Sequence, residues 1–94
     1  MRLKADVKKD IAEVKTLMEG IVGDSTVPRN IRSVLSDAIH KISSQAESDE
    51  IGVAIGTAIY LMEDISSDIN MPSHTRTEIW TIISQLESIK EKLK

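Results

Sequence analysis

Asp37 and His40 stand three residues apart in RNIRSVLSDAIHKISS. On a helix that spacing puts both side chains on one face, which could form one edge of a metal site. His74 is the only other histidine, it sits in a Pro-Ser-His-Thr stretch, and the chain has no cysteine. Two separate histidines without thiolates are a poor zinc set. Carboxylates gather at Glu47-Asp49-Glu50 and at Glu63-Asp64. Catalytic acids need a cleft and shifted pKa values, and these two groups read more simply as a helix start and the flank of a turn. No P-loop, G-x-S-x-G, H-E-x-x-H, dinucleotide-binding glycine pattern or calcium loop occurs. The sequence therefore reads as that of a non-enzyme, with no catalytic residue, no metal ligand, no cofactor and no evident small-molecule substrate.

A second set of reactive side chains is written twice. The pattern L-M-E-x-I-x-x-D-x-x-[VM]-P-x-x-x-R runs over residues 17–32 and again over 61–76. Shifting the chain by 44 residues aligns positions 11–44 with 55–88 without a gap, and ten of the 34 pairs are identical. Shared helical periodicity explains matching apolar pairs. It does not explain matching Glu19/Glu63, Asp24/Asp68, Pro28/Pro72 and Arg32/Arg76 together. The turn resembles the HEAT type, in which an Asp after the first helix and an Arg in the second tie a hairpin together. Asp24 and Asp68 can accept backbone N–H bonds inside the turn. Arg32 and Arg76 can reach back to that Asp or to Glu19 and Glu63, as bidentate pairs that fix geometry. The shift also bears on the Asp37–His40 edge: its counterparts are Thr81 and Ser84, so no second half exists.

These corners need helices on both sides. Leu3, Val7, Ile11, Val14, Leu17, Met18, Ile21 and Val22 recur at steps of three and four, which predicts helix 1 over about residues 3–22. Gly23 suits a left-handed residue after the helix end. Pro28 suits the first turn of helix 2, about 28–43. Ser48 is the expected N-cap of helix 3, about 49–66, with Asp49 and Glu50 complementing the helix dipole. Helix 3 is apolar on more than one face and so should pack on two sides. Its Gly52 and Gly56 suggest a close helix crossing. Helix 4 starts at Pro72, or near residue 76 if Thr75 and Glu78 form a capping box. No convincing strand is present. The expected fold is one all-α domain spanning residues 1–94, with repeat 1 about 3–44 and repeat 2 about 49–93, built as two tandem hairpins in a HEAT-like or bundle-like four-helix arrangement.

On three stretches the chain resembles the short archaeal family of single-domain helical proteins with no assigned function. They are DSTVPRNIR (24–32), AIYLMEDISSDINMP (58–72) and RTEIWTIISQLESIK (76–90). The resemblance covers most of residues 10–90. It implies an intracellular all-helical protein and carries over no catalytic residues.

Composition leaves room for a partner. Ninety-four residues with 29% charged side chains and no cysteine fit a cytoplasmic domain, and no apolar run is long enough to span a bilayer. Charge is uneven: residues 1–43 hold eight Lys/Arg against six Asp/Glu, whereas 44–87 hold Arg76 against eight Asp/Glu. Two hairpins fall short of the three repeats a solenoid normally needs. Either four helices close on each other, or one face is covered by another protein or a second copy, as in a homodimer. Trp80, which replaces Ser36 of the first unit, is either core filler or an interface anchor; Tyr60 is the other candidate interface residue. The expected role is protein–protein interaction or self-association. The alternative is weak nucleic-acid association through Arg2, Lys4, Lys8, Lys9, Lys15, Lys90, Lys92 and Lys94, which requires helices 1 and 4 to lie side by side.

Overall fold

The computed structural model describes residues 3–94. Four helices follow one another: α1 (Ala5–Val22), α2 (Arg29–Ser44), α3 (Ile51–Ile65) and α4 (Ser73–Lys92). Among the described residues there is no strand. Each helix neighbours two others: α1 lies against α2 and α4, and α3 lies against α2 and α4. The diagonal pairs α1/α3 and α2/α4 are not neighbours. Helices stacked as a solenoid would pair α1 with α3 and α2 with α4. The observed ring is instead that of an up-down-up-down bundle, 39 × 20 × 19 Å in extent.

The ring forms because each hairpin presents one apolar stripe, and the two stripes bury each other. Burial repeats with the 44-residue shift: Val7/Ile51, Ile11/Ile55, Val14/Ala58, Met18/Met62, Ile21/Ile65, Val27/Met71, Leu35/Ile79, Ala38/Ile82 and Ile42/Leu86 are all buried. Apart from Thr75 the core is aliphatic and thioether, with neither aromatic residue in it. Leu17, expected on the inner face of helix 1, lies at its edge and is 37% exposed.

Several local expectations are corrected. Gly23 has φ −82° and ψ −4°, so α1 closes without a left-handed residue. The Gly23 N–H bonds the Glu19 carbonyl and the Asp24 N–H bonds the Ile21 carbonyl, which tightens the last turn in right-handed geometry. Ser48 does not cap α3: its hydroxyl donates to Gln45 Oε1 at 2.6 Å and accepts the Glu50 N–H at 3.0 Å, closing a turn just ahead of the helix. Pro28 and Pro72 precede the first helical residues with ψ of 146° each, extended as proline prefers just outside a helix. The Thr75–Glu78 capping box is not formed, because α4 begins at Ser73 and turns Thr75 into the core.

Gly52 and Gly56 do not sit at a close crossing. A Cβ at Gly52 would meet nothing within 4 Å, and one at Gly56 would meet only the end of the Lys90 side chain, at 3.3 Å from Nζ.

Thr75 occupies the position of Ile31 in the first hairpin. It is 1% exposed and its hydroxyl has no hydrogen-bond partner. A buried unsatisfied hydroxyl costs about 1–3 kcal/mol. Thr75→Val keeps the shape and removes that cost, so urea denaturation should show a gain of about 1 kcal/mol. An unchanged or lower midpoint would mean that the hydroxyl is satisfied in solution.

Candidate functional site

The duplicated corners, residues 23–28 and 67–72, lie at the same end of the bundle and share one hydrogen-bond plan. Asp24 Oδ1 accepts the Thr26 N–H at 2.9 Å, and Asp68 Oδ1 accepts the Asn70 N–H at 2.8 Å. The Val27 N–H bonds the Asp24 carbonyl, and the Met71 N–H bonds the Asp68 carbonyl. These are Asx turns, in which a carboxylate substitutes for a backbone acceptor.

The outer oxygen of each Asp reaches the other hairpin. Asn30 Nδ2 donates to Asp68 Oδ2 at 3.1 Å, and His74 Nε2 lies 3.5 Å from Asp24 Oδ2. Asn30 and His74 are counterparts under the 44-residue shift, as are Asp68 and Asp24. The contacts are therefore reciprocal, and they tie the start of each hairpin's second helix to the other hairpin's corner. The sequence placed Asp24 and Asp68 correctly but gave no sign that they bridge the hairpins. An offset match cannot show that two corners share one end of a bundle.

The arginines take a different route from the expected one. Arg32 Nε donates to the Val27 carbonyl at 2.9 Å. One Arg76 terminal nitrogen donates to the Ser66 carbonyl, and the other to the Asp68 carbonyl at 2.9 Å. Neither bonds a carboxylate. The physical reason is that each Asp is already committed to its own loop and to the opposite hairpin, whereas the Ser66 carbonyl at the end of α3 lacks an intrahelical partner and the Val27 and Asp68 carbonyls of the corners have lone pairs to spare. Among the described residues, Glu19 and Glu63 make no ion pair and no side-chain hydrogen bond. They are exposed, one turn before the corner.

The Thr26 hydroxyl and N–H hold the Asp24 carboxyl below its ordinary value of 3.8, and His74 adds to the effect. No three of the described His, Asp and Glu side chains gather as a metal-binding group. His40 lines a shallow α2/α3 groove with Lys41, Glu50 and Val53. The corners therefore do mechanical work: they fix the hairpins and their mutual orientation.

The lysines meet the steric condition set for a shared patch, because α1 and α4 are neighbours, but carboxylates interleave them. Lys92 Nζ donates to Asp10 Oδ2 at 2.6 Å and lies 3.8 Å from Asp6. The Asp10 hydrogen bond is the main reason its pKa rises above 10.5. Lys8 faces Glu47 at 3.9 Å, and Lys94 faces Glu91 at 3.2 Å. Arg2 lies outside the described residues.

The remaining surface feature is apolar. Trp80 is 53% exposed, so it does not fill the core. It stands seven residues before Glu87, in the row of α4 that borders the α3/α4 groove. On the outer face of α3, Val53 is 64% and Tyr60 67% exposed, and Gly52 and Gly56 share that face. Helix-interior glycine costs about 1 kcal/mol against alanine. Nothing within this chain offsets that cost at Gly52.

A tied pair of helical hairpins closed into an up-down-up-down bundle, with polar corners at one end and a solvent-facing α3, is the class of protein this geometry defines. The chain belongs to the uncharacterised protein family UPF0147, whose defining pattern matches residues 1–89. A UPF0147 protein of Archaeoglobus fulgidus is 41% identical over 87 residues, covering 93% of this chain and 97% of the relative. One from Methanocaldococcus jannaschii is 46% identical over 77 residues, covering 82% and 81%. Among solved structures, a protein of unknown function, MMP1188, superposes with TM-score 0.79 at 40% identity, covering 94% of this chain and 96% of that one. A UPF0147 protein of Thermoplasma acidophilum superposes with TM-score 0.80 at 32% identity, covering 90% and 99%. Among the described residues, no helix is long and apolar enough to cross a membrane.

Two measurements test the corner. Arg76→Met strands the Ser66 carbonyl and leaves the Asp68 carbonyl with the Met71 N–H alone, so it should cost about 1–3 kcal/mol in chemical denaturation. Glu63→Ala should stay within about 0.5 kcal/mol of the parent; equal losses would restore the carboxylate pairing. The depressed Asp24 pKa contributes stability that is present above 3.8 and lost as pH falls through the lower folded value. Asp24→Asn should therefore have a flatter midpoint-versus-pH curve below 3.8 than the parent. Superimposable curves would remove Asp24 from the acid response.

Proposed function

We propose that this chain is a non-enzymatic cytoplasmic module whose work is protein–protein interaction or self-association. One observation carries the reading. The bundle buries most of its aliphatic residues, yet it leaves Tyr60 and Trp80, the only two aromatic residues, in solvent together with Val53, Ile69 and part of Leu17. Amphipathic aromatics are the side chains that most often anchor interfaces. A chain selected for packing alone would bring its Trp inside.

The polar surface supports the same reading by contrast. Several of its carboxylates and lysines are paired with each other or held in the corners. The nucleic-acid alternative draws support from the neighbouring α1 and α4, but Lys8, Lys92 and Lys94 each face an acid. A phosphate backbone would have to displace those acids.

A photo-crosslinking residue in place of Tyr60 or Trp80, in living cells, tests the proposal. Protein adducts should form from both positions and not from Glu13, which lines the α1/α4 groove. Absence of any protein adduct from Tyr60 and Trp80 would overturn it.

A further inference from the structure

We infer that the outer face of α3 docks a basic segment of another protein, one with an apolar middle and Arg or Lys on either side of it. The inference rests on the interaction reading above and names the chemistry of the partner. An apolar strip runs along the middle of the face. Val53 and Tyr60 stand exposed on it, and beside them Gly52 and Gly56 form the floor of a notch of about 390 Å³. A Cβ at Gly52 would stand in open space, so this chain leaves the notch unfilled there.

Carboxylates close the strip at both ends. Glu50 stands just ahead of the helix, and Glu63 and Asp64 in its last turn, all exposed. Glu50 and Asp64 lie about 20 Å apart along the axis, close to a whole number of turns, so they share one side of the helix. Among the described residues none of these three acids makes an ion pair. Asp49, beside Glu50, already has an interaction of its own.

The helix has no cation to set against them: no Lys or Arg occurs between Lys41 and Arg76. Arg76 is tied to the Ser66 and Asp68 carbonyls. The cations that border the face come from neighbouring helices. Lys41 lies beside Glu50, and Lys90 and Lys94 share a groove with Glu63, Glu87 and Glu91. Lys94 faces Glu91 at 3.2 Å, and Lys90 reaches across Gly56. Carboxylates still outnumber lysines six to three over the face and its two grooves.

The same pattern turns a second copy away. Antiparallel α3 helices centred on Gly56 would set Glu63 against Asp49 and Glu50, and parallel helices would set each acid against itself. Like charges in register oppose such a contact. A basic segment meets the opposite condition. Its cations find Glu50 at one end and Glu63 with Asp64 at the other, and its apolar side chain enters the glycine notch. An arginine over Tyr60 can stack on the exposed ring.

Fluorescence anisotropy with the purified full chain tests the inference. The probe is a dye-labelled peptide of about 16 residues, long enough to reach both acidic ends, with arginines near its termini and leucines between them. It should bind saturably, one peptide to one chain. Replacing its leucines by serine, or its arginines by glutamate, should weaken binding at least about tenfold. In the protein, Glu63→Lys combined with Asp64→Lys should do the same. So should Gly52→Leu alone, which fills the notch while raising the melting temperature. Glu13→Lys, in the α1/α4 groove, should leave binding unchanged. Absence of saturable binding overturns the inference. So does equal binding of the serine peptide, an equal loss from Glu13→Lys, or dimerisation of the pure chain that Gly52→Leu abolishes. Adducts from Tyr60 to another protein in cells, with the arginine peptide unbound, overturn the basic partner and leave the interaction reading standing.

Discussion

Everything in this molecule depends on one mutual burial. A hairpin of two amphipathic helices leaves its apolar stripe half covered, and a chain of this length has only one other stripe to set against it. The stripes match because their buried positions recur every 44 residues, from Val7/Ile51 to Ile42/Leu86. Closing them on each other makes the ring in which α1 neighbours α4 and α2 neighbours α3. Apolar contact is non-directional, so it does not by itself choose how one hairpin sits on the other. The corners supply direction. Asp24 and Asp68 each hold their own loop with one oxygen and the opposite hairpin with the other. Individually these exposed bonds are weak. Paired by approximate two-fold symmetry, they define a single register for the two stripes.

Much of this was legible because helical periodicity and the duplicated corner are local signals. The four helices lie within about two residues of where the spacing of Ile, Leu, Val and Met put them. The proline turns are where Pro28 and Pro72 announced them. Three of the errors share a cause: each needed information from outside its own segment. Arg32 and Arg76 were matched with carboxylates because opposite charges are the obvious partners. In the fold the two aspartates are already engaged, Glu19 and Glu63 stand exposed, and carbonyls of the corners and of the end of α3 take the donors. Thr75 looked like a capping residue from its distance to Glu78, and it became a core position because Ile31 occupies the same place in the other hairpin. Gly52 and Gly56 looked like a crossing between helices of one chain, but α3 meets its neighbours through other faces.

The charged surface follows from the same ring. Antiparallel α1 and α4 bring the lysines of α4's last turn beside the acids of α1's first turns, so Lys92 meets Asp10 and Asp6. This placement also suits the α4 dipole, whose negative end favours cations. The uneven charge distribution along the sequence therefore largely cancels in space at that end. Opposite signs that look like a gradient in one dimension become neighbours in three. A basic strip suited to phosphate needs lysines without such neighbours, and Lys8, Lys92 and Lys94 do not meet that condition.

The exposed residues of α3 and α4 are hard to explain by folding alone. Gly52 lowers the intrinsic stability of a helix that has no steric need for it. Trp80 stands where Ser36 serves in the first hairpin, and Tyr60 where Thr16 serves, so the aromatic side chains are confined to the second copy of the pattern. The two hairpins agree closely at their buried positions and differ on their outer faces. Packing constrains the first set in both halves alike, because each stripe is the other's only cover. The outer faces are free of that constraint, so the two halves can differ there.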